Sequence, residues 1–388
     1  MVYFFFYFDT FCGNDFSIVI QLIRGSFMKE KIEYSLLVVG VCLIIVALII
    51  PFVKKIAYHI GALDIPDARK VHTKPIPRLG GLGIFLGFLI GYMIFGQSTI
   101  QMNSILIGSF IILLTGIFDD IKPISAKAKL LGQILASCVV VFYGNILLDS
   151  IAIFGLDINF GIFAYPITIL FIVACTNIIN LIDGLDGLSG GISSIFYLST
   201  IIICFFQSRF MELEFVLSLI MLGSTLGFLV HNFHPAKIFA GDSGALFMGF
   251  SIAVISLLGF KTTAITSIFI PLAILAVPIL DTLFAIIRRL LKHQSISTPD
   301  KQHLHHQLLK MKFSHRNTVL IIYLITALFS TASILYTLHD TSDVFIGRII
   351  YGILLILVIL FVFKTDIITT KKDKKEENVK VEKKVKKS

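Results

Sequence analysis

The chain has 388 residues, of which 56% are hydrophobic and only 15% charged, and its mean hydropathy is +0.92. A soluble domain of this size carries about a quarter charged residues, so the composition excludes an ordinary soluble protein. The five cysteines are scattered singly without a CxxC or Cys/His spacing, so we interpret them as small core residues. No feature predicts a nucleic-acid partner.

Residues 1–33 form an N-terminal extension that precedes the first long apolar run. The stretch is aromatic-rich and lacks both the basic region and the small-residue cleavage site of a signal peptide. Met28 is followed by the polar triplet Lys-Glu-Lys. We therefore expect Met28 to be the true start and residues 1–27 to be an upstream extension.

From Ser35 onward, about eleven apolar runs of spanning length are separated by short polar loops. This pattern predicts an all-α polytopic integral membrane protein with one membrane domain over 34–365 and a disordered lysine-rich tail over 366–388. The predicted spans are 35–53, 80–96, 102–118, 130–148, 162–178, 190–206, 213–230, 243–260, 266–287, 318–337 and 345–363.

Most of the 33 lysines and arginines fall in alternate loops and in the C-terminal tail. Because these residues accumulate on the cytoplasmic side, the bias predicts an N-terminus outside and a C-terminus in the cytoplasm. We expect a multi-pass protein of the plasma membrane. The polar residues capable of chemistry lie in the loops assigned to the cytoplasmic face.

The first cytoplasmic loop, LDIPDARKVHTKPIPRLGG, carries Lys70 and Arg78 as candidates for substrate binding. By itself, it is equally typical of an ordinary positively charged loop. The third span ends with the adjacent Asp119 and Asp120, which are unfavourable at a membrane border unless a cation or a polar cavity accepts them. The alternative is that they simply face cytoplasmic water.

The fifth span runs into TNIINLIDGLDGLSGG, where Asn177, Asn180 and Asp183 recur at a helical spacing of three and Asp186 follows. Carboxamide and carboxylate oxygens on one face suit Mg²⁺, with Mn²⁺ as an alternative. Helix capping would account for a single aspartate but not for four polar groups. This segment is the most specific signal in the chain.

Asp242 precedes Ser243-Gly244 at the start of the eighth span, where a helix N-cap is the simplest interpretation. Capping does not account for the neighbouring Asn232, Lys237 and Phe239. Together, these residues indicate a polar site at the helix start.

A later loop contains STPDKQHLHHQLL, which predicts a short amphipathic helix with His303 and His306 on one face and His305 beside them. Zinc binding stays open, but no cysteine or carboxylate nearby in sequence completes a tetrahedral set, so phosphate contacts are favoured. Acidic and amide oxygens combined with basic groups are the parts that phosphoryl transfer uses.

Five ordered motifs lie on alternate loops: PDARKVHTKPIPRLGG, GIFDD, NIINLIDGLDGL, NFHPAKIFAGDSG and HLHH. In this order they resemble the polyprenyl-phosphate N-acetylhexosamine-1-phosphate transferase family. That family includes enzymes that initiate teichoic acid and enterobacterial antigen synthesis, and also phospho-N-acetylmuramoyl-pentapeptide transferase. The resemblance runs from about residue 34 to about residue 309.

The resemblance implies a Mg²⁺ site at Asp242 and Asn180, where the ion would bridge the diphosphate of a UDP-sugar. It implies that Asp119 and Asp120 meet the polyprenyl phosphate and that Lys129 contacts phosphate. These assignments come from the motif match and not from spacing.

The same resemblance places Asp183 and Asp186 in an essential acidic motif, with Asp186 near the uridine. Phe239 and Asn232 match positions that stack on uracil and hydrogen-bond to it. The three histidines of HLHH match a loop that contacts pyrophosphate and sugar, and we expect His303 to be catalytic.

Two departures from the muramoyl-pentapeptide pattern favour UDP-N-acetylglucosamine (UDP-GlcNAc) as donor. The first loop reads KPIPRLGG, and the histidine segment is not three consecutive histidines. We expect transfer of GlcNAc-1-phosphate to undecaprenyl phosphate with release of UMP. The muramoyl-pentapeptide reaction, an ion-coupled transporter and a lipid phosphatase remain alternatives, and a homodimer is open.

Overall fold

The computed structural model describes residues 14–65, 75–153, 156–259, 275–291 and 303–337, with short helical pieces between 349 and 357. Predictions on Lys70, on the first part of the span 266–287, on most of the span 345–363 and on the tail 366–388 fall outside these residues. The helices are α1 Asn14–Ile60, α2 Gly80–Phe95, α3 Ile100–Ile121, α4 Ala126–Cys138, α5 Ala164–Ile182, α6 Leu188–Phe206, α7 Leu213–Asn232, α8 Gly241–Gly259, α9 Ala276–Leu291, α10 Leu304–Lys310 and α11 His315–Thr337.

The helical, polytopic character predicted from the apolar runs is confirmed. Within the described residues, eight helical segments are long and apolar enough to cross a membrane, and α2 is a shorter apolar helix of 16 residues. The eight are Met28–Ile60, Ile100–Ile121, Ala126–Tyr143, Gly161–Ile182, Leu188–Phe206, Leu213–Asn232, Gly241–Gly259 and His315–Leu335. Eleven spans and their orientation stay predictions.

Short non-α elements interrupt the helical pattern. Strands β1 Leu63–Asp64 and β2 Ile76–Pro77 pair antiparallel, as do β3 Ser150–Ile153 and β4 Leu156–Asn159. The predicted span 130–148 ends earlier, because α4 passes into a π-helical turn, Val139–Tyr143, before the second hairpin. Apolar periodicity does not reveal strands of two to four residues.

Helix α8 lies at the centre of the bundle, because 89% of its apolar 18-residue stretch is buried. The corresponding stretches of the segments Met28–Ile60 in α1 and Ala126–Tyr143, which includes α4, are each only 28% buried. The outer helices expose large side chains such as Leu48 and Phe52, as a lipid-facing surface requires. Around α8, small residues allow close contact. A Cβ on Gly81 would lie 2.1 Å from the backbone nitrogen of Gly244.

Backbone hydrogen bonds join the segment before α2 to the segment before α8. The N–H of Phe239 donates to the carbonyl of Pro77 over 2.8 Å, and the N–H groups of Gly80 and Gly81 donate to Phe239 and Ala240 over 2.9 Å. These bonds hold the N-termini of α2 and α8 side by side. Several of the predicted site residues, among them Arg78 and Asp242, lie at this junction.

Candidate active site

The two aspartates at the end of α3 occupy different environments. Asp120 is buried and accepts hydrogen bonds from the backbone N–H of Asp242 over 2.8 Å, and from the N–H and hydroxyl of Ser243 over 3.0 and 2.7 Å. Asp119 accepts instead from the ammonium group of Lys129 over 3.1 Å and from the backbone N–H of Ile124 over 3.0 Å. Asp120 therefore anchors the start of α8, whereas Asp119 faces the cationic side chain.

Two cations and four carboxylates form one ion-pair network. The ammonium nitrogen of Lys129, in the first turns of α4, contacts carboxylate oxygens of both Asp119 and Asp242. Arg78 lies just before α2, and its guanidinium reaches three carboxylates. Its distances to them are 3.6 Å to Asp64, 3.7 Å to Asp120 and 3.5 Å to Asp242.

Burial of Arg78 opposes its charge, but the surrounding carboxylates outweigh that effect and raise its pKa above the ordinary value. Arg78 therefore stays a permanent cation in the site. Since acids still outnumber bases in this network, it favours a further positive charge.

The chemistry of the donor set fits a divalent cation. One oxygen of Asp119 and one of Asp242 already converge on a single positive group, the ammonium of Lys129. Asn180 is half-buried near the end of α5, and its side chain makes no hydrogen bond with any residue that the structure describes. Carboxylate and amide oxygens are the ligands that Mg²⁺ prefers. The oxygens of Asp120 already accept hydrogen bonds from the first residues of α8, so we do not include Asp120 among the ligands.

Of the three polar residues predicted along one face of α5, Asn177 and Asn180 lie on the helix and Asp183 directly follows it. Asn177 is paired with Gln133 of α4 through two amide hydrogen bonds of 2.6 and 3.2 Å, so this side chain links helices. Asp183 lies beyond the last helical residue and accepts from the hydroxyl of Ser189 over 2.5 Å. Burial raises the pKa of Asp183 to about 6, despite that hydrogen bond.

Asp186 is held by two histidines that the sequence analysis did not select. Nδ1 of His234 lies 2.7 Å from its carboxylate, and Nε2 of His315 accepts from the backbone N–H of Asp186 over 3.0 Å. The two imidazole rings stack with centroids 4.3 Å apart. Both histidines lie in short polar segments between apolar runs, and this position in the sequence could have identified them as candidate site residues.

Asn232 is buried at the end of α7 and joins two loops. Its amide donates to the carbonyl of Ile238 over 2.8 Å, and its oxygen accepts from the N–H of Gly187 over 2.9 Å. The half-buried Phe239 follows directly in the segment that Asn232 holds. The uracil contacts of both residues stay predictions. A contact between Asn232 and uracil would use side-chain atoms that already hydrogen-bond to the backbone of Ile238 and Gly187.

The predicted position of His303 on the short helix is wrong, because α10 begins at Leu304 and His303 is its N-cap residue. His303 and His306 therefore do not share a helix face. The rings of His303 and His305 are parallel with centroids 5.8 Å apart, and the His305 and His306 centroids lie 4.2 Å apart. Burial first, and then the neighbouring His306, lowers the pKa of His305 to about 3.

The structure also reveals Asp281 of α9, which sequence reasoning missed. One carboxylate oxygen lies 2.9 Å from Nδ1 of His303, and the side chain is buried. A carboxylate inside the apolar run LAVPILDTLF is costly in a membrane protein, so its position was a detectable signal.

Comparisons with known proteins identify the family. A family model described as glycosyl transferase family 4 matches residues 102–260. A Bacillus subtilis (strain 168) protein named "Probable undecaprenyl-phosphate N-acetylglucosaminyl 1-phosphate transferase" is 46% identical over 335 residues, covering 85% of this chain and 92% of the relative. The chain belongs to glycosyl transferase family 4.

Further relatives extend the comparison. A decaprenyl-phosphate N-acetylglucosaminephosphotransferase from Mycobacterium tuberculosis (strain CDC 1551 / Oshkosh) is 34% identical over 77% of this chain and 82% of its own length. An undecaprenyl-phosphate alpha-N-acetylglucosaminyl 1-phosphate transferase from Escherichia coli O157:H7 is 31% identical over 73% and 79%. The family predicted from the five motifs is confirmed, and this member is a phosphotransferase.

The segment matched by the glycosyl transferase family 4 model contains the acidic pair, Lys129, Asp183, Asp186 and Asp242. Arg78 and the histidine segment lie outside it, and only the fold brings Arg78 against the matched carboxylates. Of the predicted site residues that the structure describes, the acidic pair, Lys129, Arg78 and Asp242 form one network, and the histidine segment contacts a separate aspartate.

Proposed function

We propose that this member of glycosyl transferase family 4 transfers GlcNAc-1-phosphate from UDP-GlcNAc to undecaprenyl phosphate, releasing UMP and forming undecaprenyl-diphosphate-GlcNAc. The observation that carries the proposal is the ion-pair network of Arg78, Lys129, Asp119 and Asp242 at one end of a membrane bundle. The names of the relatives agree with a prenyl-phosphate acceptor and a GlcNAc-phosphate donor.

Asp119, Asp242 and Asn180 would hold the divalent cation, for which we propose Mg²⁺. When bound, such an ion neutralises phosphate charge and orients the diphosphate of the donor. The carboxylates supply oxygen ligands, and the excess of acidic groups in the network supports cation binding.

Lys129 and Arg78 provide the permanent positive charge for the two phosphate-bearing substrates. A phosphate monoester is mostly dianionic at neutral pH because its second pKa is near 6, so the acceptor needs positioning more than deprotonation. We propose that it attacks the sugar-side phosphorus in line. One P–O bond forms as the bond to the UMP oxygen breaks, and Lys129 stabilises the charge that develops.

Asp119 orients the acceptor through Lys129, and Asp120 keeps Asp242 in place. The contact of Asp119 with Lys129 and the hydrogen bond from the Asp242 N–H to Asp120 support these roles. A covalent route with Asp242 or Asp119 as nucleophile is the competing mechanism. Trapping a labelled enzyme intermediate would decide for that route.

We propose that the site lies at the cytoplasmic face of the plasma membrane. The network lies where α2 and α8 begin and α3 ends. This position at helix ends supports a site near the membrane surface and not at the midplane of the bilayer. A water-soluble nucleotide sugar and a lipid phosphate can both reach such a border. A transporter would instead need polar groups deep within the spans.

The test uses purified protein in detergent with Mg²⁺, radiolabelled UDP-GlcNAc and undecaprenyl phosphate. We expect label in the lipid extract together with an equal amount of UMP, and loss of both in Asp242→Ala. Lys127→Met, a change of an exposed lysine on the same helix as Lys129, is the control that keeps activity.

Label from UDP-MurNAc-pentapeptide, without label from UDP-GlcNAc, would assign the chain to the muramoyl-pentapeptide reaction. Absence of labelled lipid with both donors would contradict the transferase and favour the transporter.

A further inference from the structure

The carboxyl group of Asp281 ties helix α9 to the start of the histidine segment. Its Oδ2 lies 2.9 Å from Nδ1 of His303, and its Oδ1 accepts from the backbone N–H of Leu304 over 2.7 Å. Both oxygens are therefore used, and both partners lie more than 20 residues further along the chain. This one side chain fixes an imidazole ring and the first N–H of α10.

Burial makes these contacts specific. The side chains of Asp281 and His303 are 6% and 7% exposed, so water competes weakly for either one. A buried carboxyl group that loses its donors is costly, which favours a single arrangement of this pair. Since the carboxylate only accepts, Nδ1 of His303 is the donor, and Nε2 is left directed away from Asp281.

The orientation of His303 extends to the rest of the segment. Its ring is parallel to that of His305, which in turn lies against His306. Nε2 of His305 has no hydrogen-bond partner within the described part of the chain, and this ring packs on Gly184, next to Asp183. A rotated His303 would shift the ring against which His305 is placed.

We propose that Asp281 is a positioning residue for the transfer reaction, acting through His303 and the start of α10. This inference rests on the proposed function. Asp281 does not touch the substrates; it holds the imidazole of His303 in one tautomer and orientation for contact with the donor. Its role resembles that of other carboxylates that orient a functional histidine.

The experiment is a double-mutant cycle on kcat and KM for the labelled donor, with Asp281→Ala, His303→Ala and the double variant. We expect Asp281→Ala to lower kcat by about 10- to 100-fold, as is typical for loss of an orienting partner. In the His303→Ala background, the same change should cost several-fold less than in the wild type, because residues that act as a unit are not additive and only the contact with the Leu304 N–H is then left to lose. The inference would be overturned if the kcat loss of the double variant equalled the product of the two single losses. Wild-type kcat in Asp281→Ala would also overturn it.

Thr282→Val is the matched control. Thr282 is the buried neighbour on α9, and its hydroxyl has no partner among the described residues, so the isosteric change leaves the helix packed. We expect wild-type kcat and an unchanged unfolding temperature. If Thr282→Val lost as much activity as Asp281→Ala, general damage to α9 would replace the positioning role.

A second readout does not depend on the donor. Mass spectrometry can follow the rate at which diethylpyrocarbonate modifies His303 in the full-length protein in detergent. We expect faster modification in Asp281→Ala and no change in Thr282→Val, because the freed ring becomes accessible. An unchanged rate would contradict the inference, whereas absence of GlcNAc transfer by the wild type would contradict only the proposed function.

Discussion

The backbone N–H of Asp242 donates a hydrogen bond to the carboxylate of Asp120 over 2.8 Å, so one acidic residue holds another at the start of α8. Asp120 also accepts from the N–H and hydroxyl of Ser243. The neighbouring Asp119 has no part in these contacts and meets Lys129. Asp120 therefore supports the start of α8 and lies near Arg78, whereas Asp119 pairs with Lys129 and accepts from the backbone N–H of Ile124.

This separation predicts different consequences for the two aspartates. Asp120→Ala removes the acceptor of three hydrogen bonds at a buried helix start and should lower the free energy of unfolding by about 2–4 kcal/mol. Asp119→Ala removes the acceptor of one backbone N–H, that of Ile124, and should therefore lower the unfolding temperature in detergent less than Asp120→Ala while abolishing most transfer. Equal loss of thermal stability in both variants would contradict the assignment.

Lys129→Met should reduce kcat by about 10²- to 10³-fold, because removal of a preorganised positive charge costs transition-state stabilisation. The substitution also leaves carboxylate oxygens of Asp119 and Asp242 facing each other. Steady-state transfer assays measure the effect, and Lys127→Met should retain full activity. Loss of activity in both variants would indicate a general requirement for positive charge on α4.

Gly81→Ala should destabilise the bundle by about 1–3 kcal/mol or more, since the new methyl group would overlap the backbone of Gly244 at the crossing of α2 and α8. Gly40→Ala is the control, because a Cβ at Gly40 of α1 meets nothing within 4 Å. That change should be neutral or stabilising by up to about 1 kcal/mol. Thermal unfolding in one detergent compares the two, and equal behaviour would refute the close contact.

The lowered pKa of His305 predicts a pH dependence of stability. The folded state keeps this imidazole neutral down to about pH 3, whereas the unfolded chain binds a proton below about pH 6.5. Stability from this residue is therefore complete above pH 6.5 and is lost as the pH falls towards 3. At pH 5, the loss should be of the order of 2 kcal/mol.

His305→Gln removes the titrating group and should show a smaller fall in unfolding temperature between pH 7 and pH 5 than the wild type. Other acidic and basic groups titrate in both proteins, so the difference isolates His305. Parallel curves for the two proteins would show that His305 does not resist protonation in the folded state.

The apolar runs determined the class of fold without any tertiary information. Their length matches the thickness of a bilayer, and their order confirmed a polytopic helical protein. The five motifs likewise established the family, because each is local in sequence and their order along the chain is distinctive. The β hairpins escaped prediction because such short strands leave no periodic signal.

Tertiary structure alone decided how the polar residues divide their roles. Asn177 shares a spacing of three with Asn180, yet it pairs with Gln133 on another helix. Asp281 meets His303 across 22 residues of sequence, a pairing that spacing does not encode. Local sequence specifies which groups are present and on which helix they lie. Hydrogen-bond partners depend on how helices pack, because buried polar groups take whichever donors and acceptors the fold brings within reach.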